Sequence, residues 1–111
     1  MTTPPLTVIN LQQEAQGVES YRNSPLALVN DHVVRLSVMT EPFYWHYHPN
    51  SDEVFLVVEG TLCIDLDEET VEVAAGQLFA IPANTRHRTR PLGGRSVNLT
   101  FELAGIETIK C

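Results

Sequence analysis

The sequence predicts an all-β domain, a sandwich or barrel of antiparallel strands, and three observations carry that prediction. Beyond Ser20 short apolar runs follow one another without helical period. Turn chemistry separates them, most often at intervals of about ten residues: Asn30-Asp31, Pro49-Asn50-Ser51-Asp52, Glu59-Gly60, Asp67-Glu68-Glu69, Ala75-Gly76, Pro82-Ala83-Asn84 and Pro91-Leu92-Gly93-Gly94. Several runs alternate with period two. Leu62, Ile64 and Leu66 oppose Cys63 and Asp65, and Val97, Leu99 and Phe101 oppose Asn98, Thr100 and Glu102.

The 111 residues make one domain: an N-terminal segment over 1–20 packs on a barrel over 21–111. Residues 1–5 are expected to fray. Asn10 is placed to cap a short helix over Leu11–Gln16, which Gly17 stops. Seven basic against 14 acidic residues give a net charge of −7, which argues against nucleic acid or an anionic membrane as partner. No apolar run reaches the roughly 20 residues of a membrane span. The start MTTPPLTVIN lacks the basic and apolar stretches of a secretory signal, so the expected location is cytoplasmic. Of the two cysteines, Cys63 reads as a small buried hydrophobe and Cys111 as a loose terminal thiol.

Two runs break the alternation. Val54-Phe55-Leu56-Val57-Val58 and Leu78-Phe79-Ala80-Ile81 are apolar on both faces and need cover on both sides. In so short a chain a homodimer is the economical source of that cover.

The stretch WHYHPNSDEVFLVVEG (45–60) carries the chemistry. On a strand His46 and His48 project to one side with Tyr44, and Phe43, Trp45 and Tyr47 to the other. If the chain turns at Pro49–Asp52 and returns antiparallel, Glu53 starts the return strand near His48, facing the same side. Two imidazoles and a carboxylate on one face can bind a divalent ion with coordination positions left open. His87 is a candidate third imidazole, since a strand beginning near it would lie beside the first hairpin in a closed barrel. From these residues alone, a metal site and an ordinary polar hairpin both remain open.

The spacing of the whole set resembles the cupin superfamily. His46, His48, Glu53 and Gly60 follow the first cupin motif, and Gly76, Pro82, Asn84 and His87 follow the second, together spanning about 40–91. Thr40 stands where the first motif usually opens with glycine, Asn84 replaces a glycine, and Pro91 takes the place of a closing asparagine. The resemblance implies a single barrel of two antiparallel sheets, a double-stranded β-helix or jelly roll. It also implies one divalent transition metal (iron, manganese, nickel, zinc or copper) held by His46, His48, Glu53 and His87. It suggests a metal-dependent enzyme, foremost an oxidoreductase of dioxygenase type. A metal-dependent isomerase, or a non-catalytic small-molecule-binding or sensor module, is the alternative.

Around that site, Tyr44 is placed to donate a hydrogen bond to a group at the metal. Phe55 and Val57 share the face of Glu53, so the interior is expected to be apolar and the ligand small and weakly polar. His32 and Arg35 lie at odd spacing, so at most one faces inward. If His87 points inward, Arg86, Arg88 and Arg90 point outward and form a solvated basic edge, and a strongly anionic substrate is not expected.

Overall fold

The computed structural model describes residues 2–111. One short helix, α1 (Leu11–Ala15), precedes ten strands: β1 (Arg22–Val29), β2 (His32–Met39), β3 (His46–Tyr47), β4 (Glu53–Glu59), β5 (Thr61–Asp65), β6 (Thr70–Ala74), β7 (Leu78–Ile81), β8 (Arg88–Pro91), β9 (Ser96–Leu103) and β10 (Ile109–Lys110). The Asn10 side chain accepts from the Gln13 N–H at 3.0 Å and caps α1, and Gly17 at φ 74° ends its turn. Met1 lies outside the described residues, but Thr3, expected to fray with it, donates its N–H to the Leu26 carbonyl at 2.7 Å.

The strands form two layers. One is a five-stranded antiparallel sheet in the order β1-β2-β9-β4-β7. The other joins β6-β5-β8 to the pair β10-β3, because His46 and His87 exchange backbone hydrogen bonds of 3.0 and 2.9 Å. Between the layers pack Met39, Phe55, Val57, Leu62, Ile64, Val73 and Ile81. A second apolar cluster lies on the outer face of the five-stranded sheet. There Leu36, Val38, Val97 and Leu99 are covered by Ile9, Leu11, Ala15 and Val18 of the N-terminal segment. The five-stranded sheet is therefore apolar on its outside, and that decides what its inside can be.

Two expectations about local geometry need correction. The run 45–60 is not a hairpin: β3 pairs with β10, while β4 pairs with β7 and β9 in the opposite layer. The turn at Pro49–Asp52 carries the chain across the barrel and is tied down on the way. The Asn50 side chain donates to the Gly105 carbonyl and accepts from the Glu107 N–H, and the Asp52 carboxylate accepts from the Ala83 N–H. The second correction concerns residues 40–45, which are not a strand, so period-two parity does not hold there. Phe43 as well as Tyr44 turns toward the cavity, and Trp45 faces out beneath Arg86, whose guanidinium lies 4.1 Å from the ring centroid.

Candidate metal centre

The crossing chain brings the histidines and the glutamate together from opposite layers. His46 and His48 come from β3 and its exit, His87 from the residue before β8, and Glu53 from the first position of β4. Asn84 makes the approach to His87 possible. It sits at φ 67°, a left-handed conformation that asparagine tolerates, and its N–H donates to the His48 carbonyl at 2.8 Å. All four side chains are buried, His87 most completely.

Each imidazole is oriented in the same way. The Nδ1 of His46 lies 2.7 Å from the Tyr44 carbonyl, that of His48 2.9 Å from the Glu107 carbonyl, and that of His87 2.8 Å from the Thr85 carbonyl. A carbonyl only accepts, so each Nδ1 carries the proton and each Nε2 presents a lone pair. The three rings offer ligand nitrogens within 4.8 Å of one another. Glu53 Oε1 approaches His48 Nε2 at 3.3 Å and His87 Nε2 at 3.4 Å. These contacts lack hydrogen-bond geometry, and His48 Nε2, His87 Nε2 and Glu53 Oε1 are all buried with no hydrogen-bond partner. Buried polar atoms are normally paired, so three unpaired ones drawn together here fit the ligand set of a cation.

Electrostatics agree with that fit. Burial lowers the His46 pKa to about 4, against the pull of the Tyr44 carbonyl, and the neighbouring imidazoles push the same way as burial. His46 is thus neutral at physiological pH, the form that binds metal. Burial also lowers His48, but the Glu53 carboxylate outweighs it and the net shift is upward. Burial opposes the charge on Glu53, yet His48 and His87 overcome it and hold its pKa below the usual carboxylate range. A divalent ion here would carry net charge near +1 and keep positions open, because three nitrogens and one carboxylate leave an octahedral ion unsaturated.

The cluster opens into a cavity of about 360 Å3, at the small end of ligand pockets. Its lining differs from the apolar interior expected. Phe55 is there, but β9 turns Asn98, Thr100 and Glu102 inward, with Ser37 and Arg35 beside them on β2. The alternation of β9 was visible; its direction was not, because the N-terminal segment buries the opposite, apolar half. Glu102 lies against Glu53 and pairs with Arg35 at 3.5 Å. Burial, reinforced by Glu53, pushes its pKa up. Of the two early polar residues, Arg35 faces in and His32 is exposed beside Asp31 at 2.8 Å. Tyr44 lines the cavity mouth, its ring 5.6 Å from that of His46.

The three arginines point out of the barrel, but Arg88 and Arg90 are not a solvated edge. Both clamp the buried Asp65 carboxylate, and Arg86 pairs with Asp67 at 2.7 Å. Cys63 is buried and free, and Cys111 is exposed.

Two antiparallel layers closed around three histidines and a glutamate define a double-stranded β-helix with an interior site fitted to a divalent metal. The chain belongs to the cupin family: residues 32–101 match the Cupin domain. It is 47% identical over 92 residues to the protein YdbB of Bacillus subtilis, covering 82% of this chain and 80% of that one. It is 46% identical over 59 residues to the polyketide synthase CurC of Streptomyces cyaneus, covering 53% of this chain but only 38% of the relative. Among solved structures it superposes with TM-score 0.80 on a cupin-2 domain protein of Shewanella frigidimarina, at 28% identity over 86% of this chain and 94% of that one. A double-stranded β-helix protein of Klebsiella pneumoniae superposes with TM-score 0.81 at 12% identity, over 96% and 93% of the two chains, which speaks for the fold alone. Among the described residues no helix is long and apolar enough to cross a membrane.

Proposed function

We propose that this chain is a metal-dependent enzyme, an oxidoreductase of dioxygenase type acting on a small molecule bound beside His46, His48, Glu53 and His87. One observation carries the reading. Three imidazoles, each with Nδ1–H held by a backbone carbonyl, bring ligand nitrogens within 4.8 Å of one another, and the buried Nε2 atoms of His48 and His87 stand unpaired beside an unpaired Glu53 carboxylate oxygen. Anchoring of this kind fixes ring orientation and raises ligand basicity. A bound iron would supply redox chemistry with dioxygen at the open positions. The chain's own part is to hold the ligands rigidly, exclude bulk water with Phe43 and Phe55, and present the Tyr44 hydroxyl at the cavity mouth. The test is substrate-free at first: iron(II)-loaded protein exposed to nitric oxide is expected to give a high-spin iron–nitrosyl EPR signal, absent in His48→Ala. Oxygen uptake with a panel of small enols and phenols then separates enzyme from binding module. Iron that binds with no nitrosyl signal would rule out an open coordination position.

We further propose that two copies pair through the outer face of the five-stranded sheet. One apolar row crosses all five strands in register, Ala27–Val34–Phe101–Val54–Ala80, and a neighbouring row ends at Leu78, which is 61% exposed. The N-terminal segment leaves this end of the face bare, and a flat self-complementary patch suits a two-fold partner.

A further inference from the structure

The inner side of β9 is polar where a barrel core would be expected. Ser96, Asn98, Thr100 and Glu102 all face inward from a strand flanked on both sides, by β2 and β4. Its neighbours block any sideways route to solvent. Asn98 is 1% exposed and Thr100 5%, yet Asn98 Oδ1 and Thr100 Oγ1 have no hydrogen-bond partner. Both atoms belong to side chains lining the cavity. Register puts Thr100 between Arg35 and Phe55, and Asn98 between Ser37 and Val57. Buried acceptors left unpaired are costly, and a cavity that keeps them is built for something that donates to them.

The loop before β3 and the residue just before β1 add the opposite chemistry to the same cavity. Phe43 and Tyr44 stack with centroids 4.2 Å apart, and Tyr21 stacks on Phe43 at 5.8 Å, all three lining the same cavity. The rings stack on one another rather than presenting free faces, so a small ring between them and the polar wall is held by apolar contact on one side and by hydrogen bonds on the other. The arginine of the wall is already held 3.5 Å from Glu102 Oε2 and hydrogen-bonded to Asn23 Oδ1, so its guanidinium is not free to anchor a ligand anion. The cavity's volume of about 360 Å3 suits a molecule of one ring.

We propose that the cavity recognises a small, neutral, hydroxylated ring, with a hydroxyl donating to Asn98 Oδ1, a second polar contact at Thr100 Oγ1, and the ring in apolar contact with the Phe43–Tyr44 pair. This rests on the reading above that the cavity beside the metal cluster is the substrate site, and it names the class of substrate.

The probe is resorcinol, whose two hydroxyls are too far apart to chelate one ion, with toluene as its donor-free comparator. Both are titrated into zinc-loaded 15N-labelled protein and followed by amide shifts, and the metal content of each sample is measured in parallel. Resorcinol is expected to give saturable shifts at Ser37, Asn98 and Thr100. Thr100→Val and Asn98→Leu are each expected to weaken it about fivefold or more, the scale of one lost hydrogen bond, with toluene binding unchanged or tighter. Thr100→Val is nearly isosteric, so it answers the question even if Asn98→Leu fails to fold. Equal weakening of both probes, no weakening, or no saturable shifts in folded metal-loaded protein would overturn the proposal; the last would mean that the two oxygens serve ordered water only. Resorcinol shifts in unaltered protein that the parallel measurement finds without metal would support the wall while removing the metal reading.

Discussion

Asp65 is the residue on which the second layer hangs, and replacing it with asparagine is predicted to loosen the strand that follows His87. Its Oδ2 accepts from Arg88 Nε and Nη2 at 3.0 and 2.8 Å and from Arg90 Nε at 2.9 Å, and its Oδ1 accepts from Arg90 Nη2 at 3.1 Å and Thr70 Oγ1 at 2.6 Å. If Oδ2 becomes the amide nitrogen, three of these contacts turn into donor facing donor; if Oδ1 does, the Arg90 Nη2 contact does so while the Thr70 hydroxyl can turn to accept, and in either case the carboxylate charge is lost. Hydrogen bonds to a charged group contribute about 1.5–3 kcal/mol each. The arginine side chains are about a third exposed, so water recovers part of the loss and the net effect should be about 2–3 kcal/mol. At about 4 °C per kcal/mol for a domain of this size, Asp65→Asn should melt roughly 10 °C below wild type at pH 7 by circular dichroism. The bond from Arg90, the largest influence on it, holds the Asp65 pKa below the usual range despite burial. A depressed pKa gives stability that is present above the unfolded value near 3.9 and lost as pH falls through the folded one. The melting gap between wild type and Asp65→Asn should therefore persist to about pH 4 and close below it. A gap under about 2 °C at pH 7, or one unchanged in strong acid, would refute the argument.

Other consequences can be measured directly. Gly60 sits at φ 73°, and a Cβ there would lie 2.7 Å from the Arg95 carbonyl oxygen; Gly60→Ala is expected to lose about 2–3 kcal/mol in urea unfolding, combining left-handed strain with the clash. Leu78→Lys places a charge on the bare outer face without touching the interior, and light scattering should then find a monomer where the unaltered chain forms a dimer. A monomer in both would remove the pairing proposed here.

Much of the fold was legible because its signals are local. Turn residues at regular spacing, period-two runs and the Asn10 cap each report on a few neighbouring positions. The metal cluster was legible because its spacing is held within two short motifs, and left-handed Asn84 could be read as the turn before His87. What escaped was long-range. No local rule says that Pro49–Asp52 crosses between layers instead of closing a hairpin, since the contacts that steer it come from Gly105, Glu107 and Ala83. Parity along 43–45 failed because that stretch is not extended. The inward Asn98, Thr100 and Glu102 went unread because alternation does not say which half of β9 turns inward, and the apolar half, Val97, Leu99 and Phe101, packs on the outside of the sheet beneath residues 9–18. The likeness of Arg86, Arg88 and Arg90 to a basic edge dissolved for a similar reason: Asp65, their anchor for two of the three, sits more than 20 positions away.

The central claim is that three imidazoles and one carboxylate hold a single divalent metal. The measurement that tests it most directly is elemental mass spectrometry of protein purified without chelator and then reconstituted, run beside His48→Ala. Stoichiometric transition metal in the unaltered chain, lost in the variant while its β-rich circular dichroism spectrum is kept, is the result expected. No bound metal in either protein after reconstitution, or equal metal in both, would contradict it.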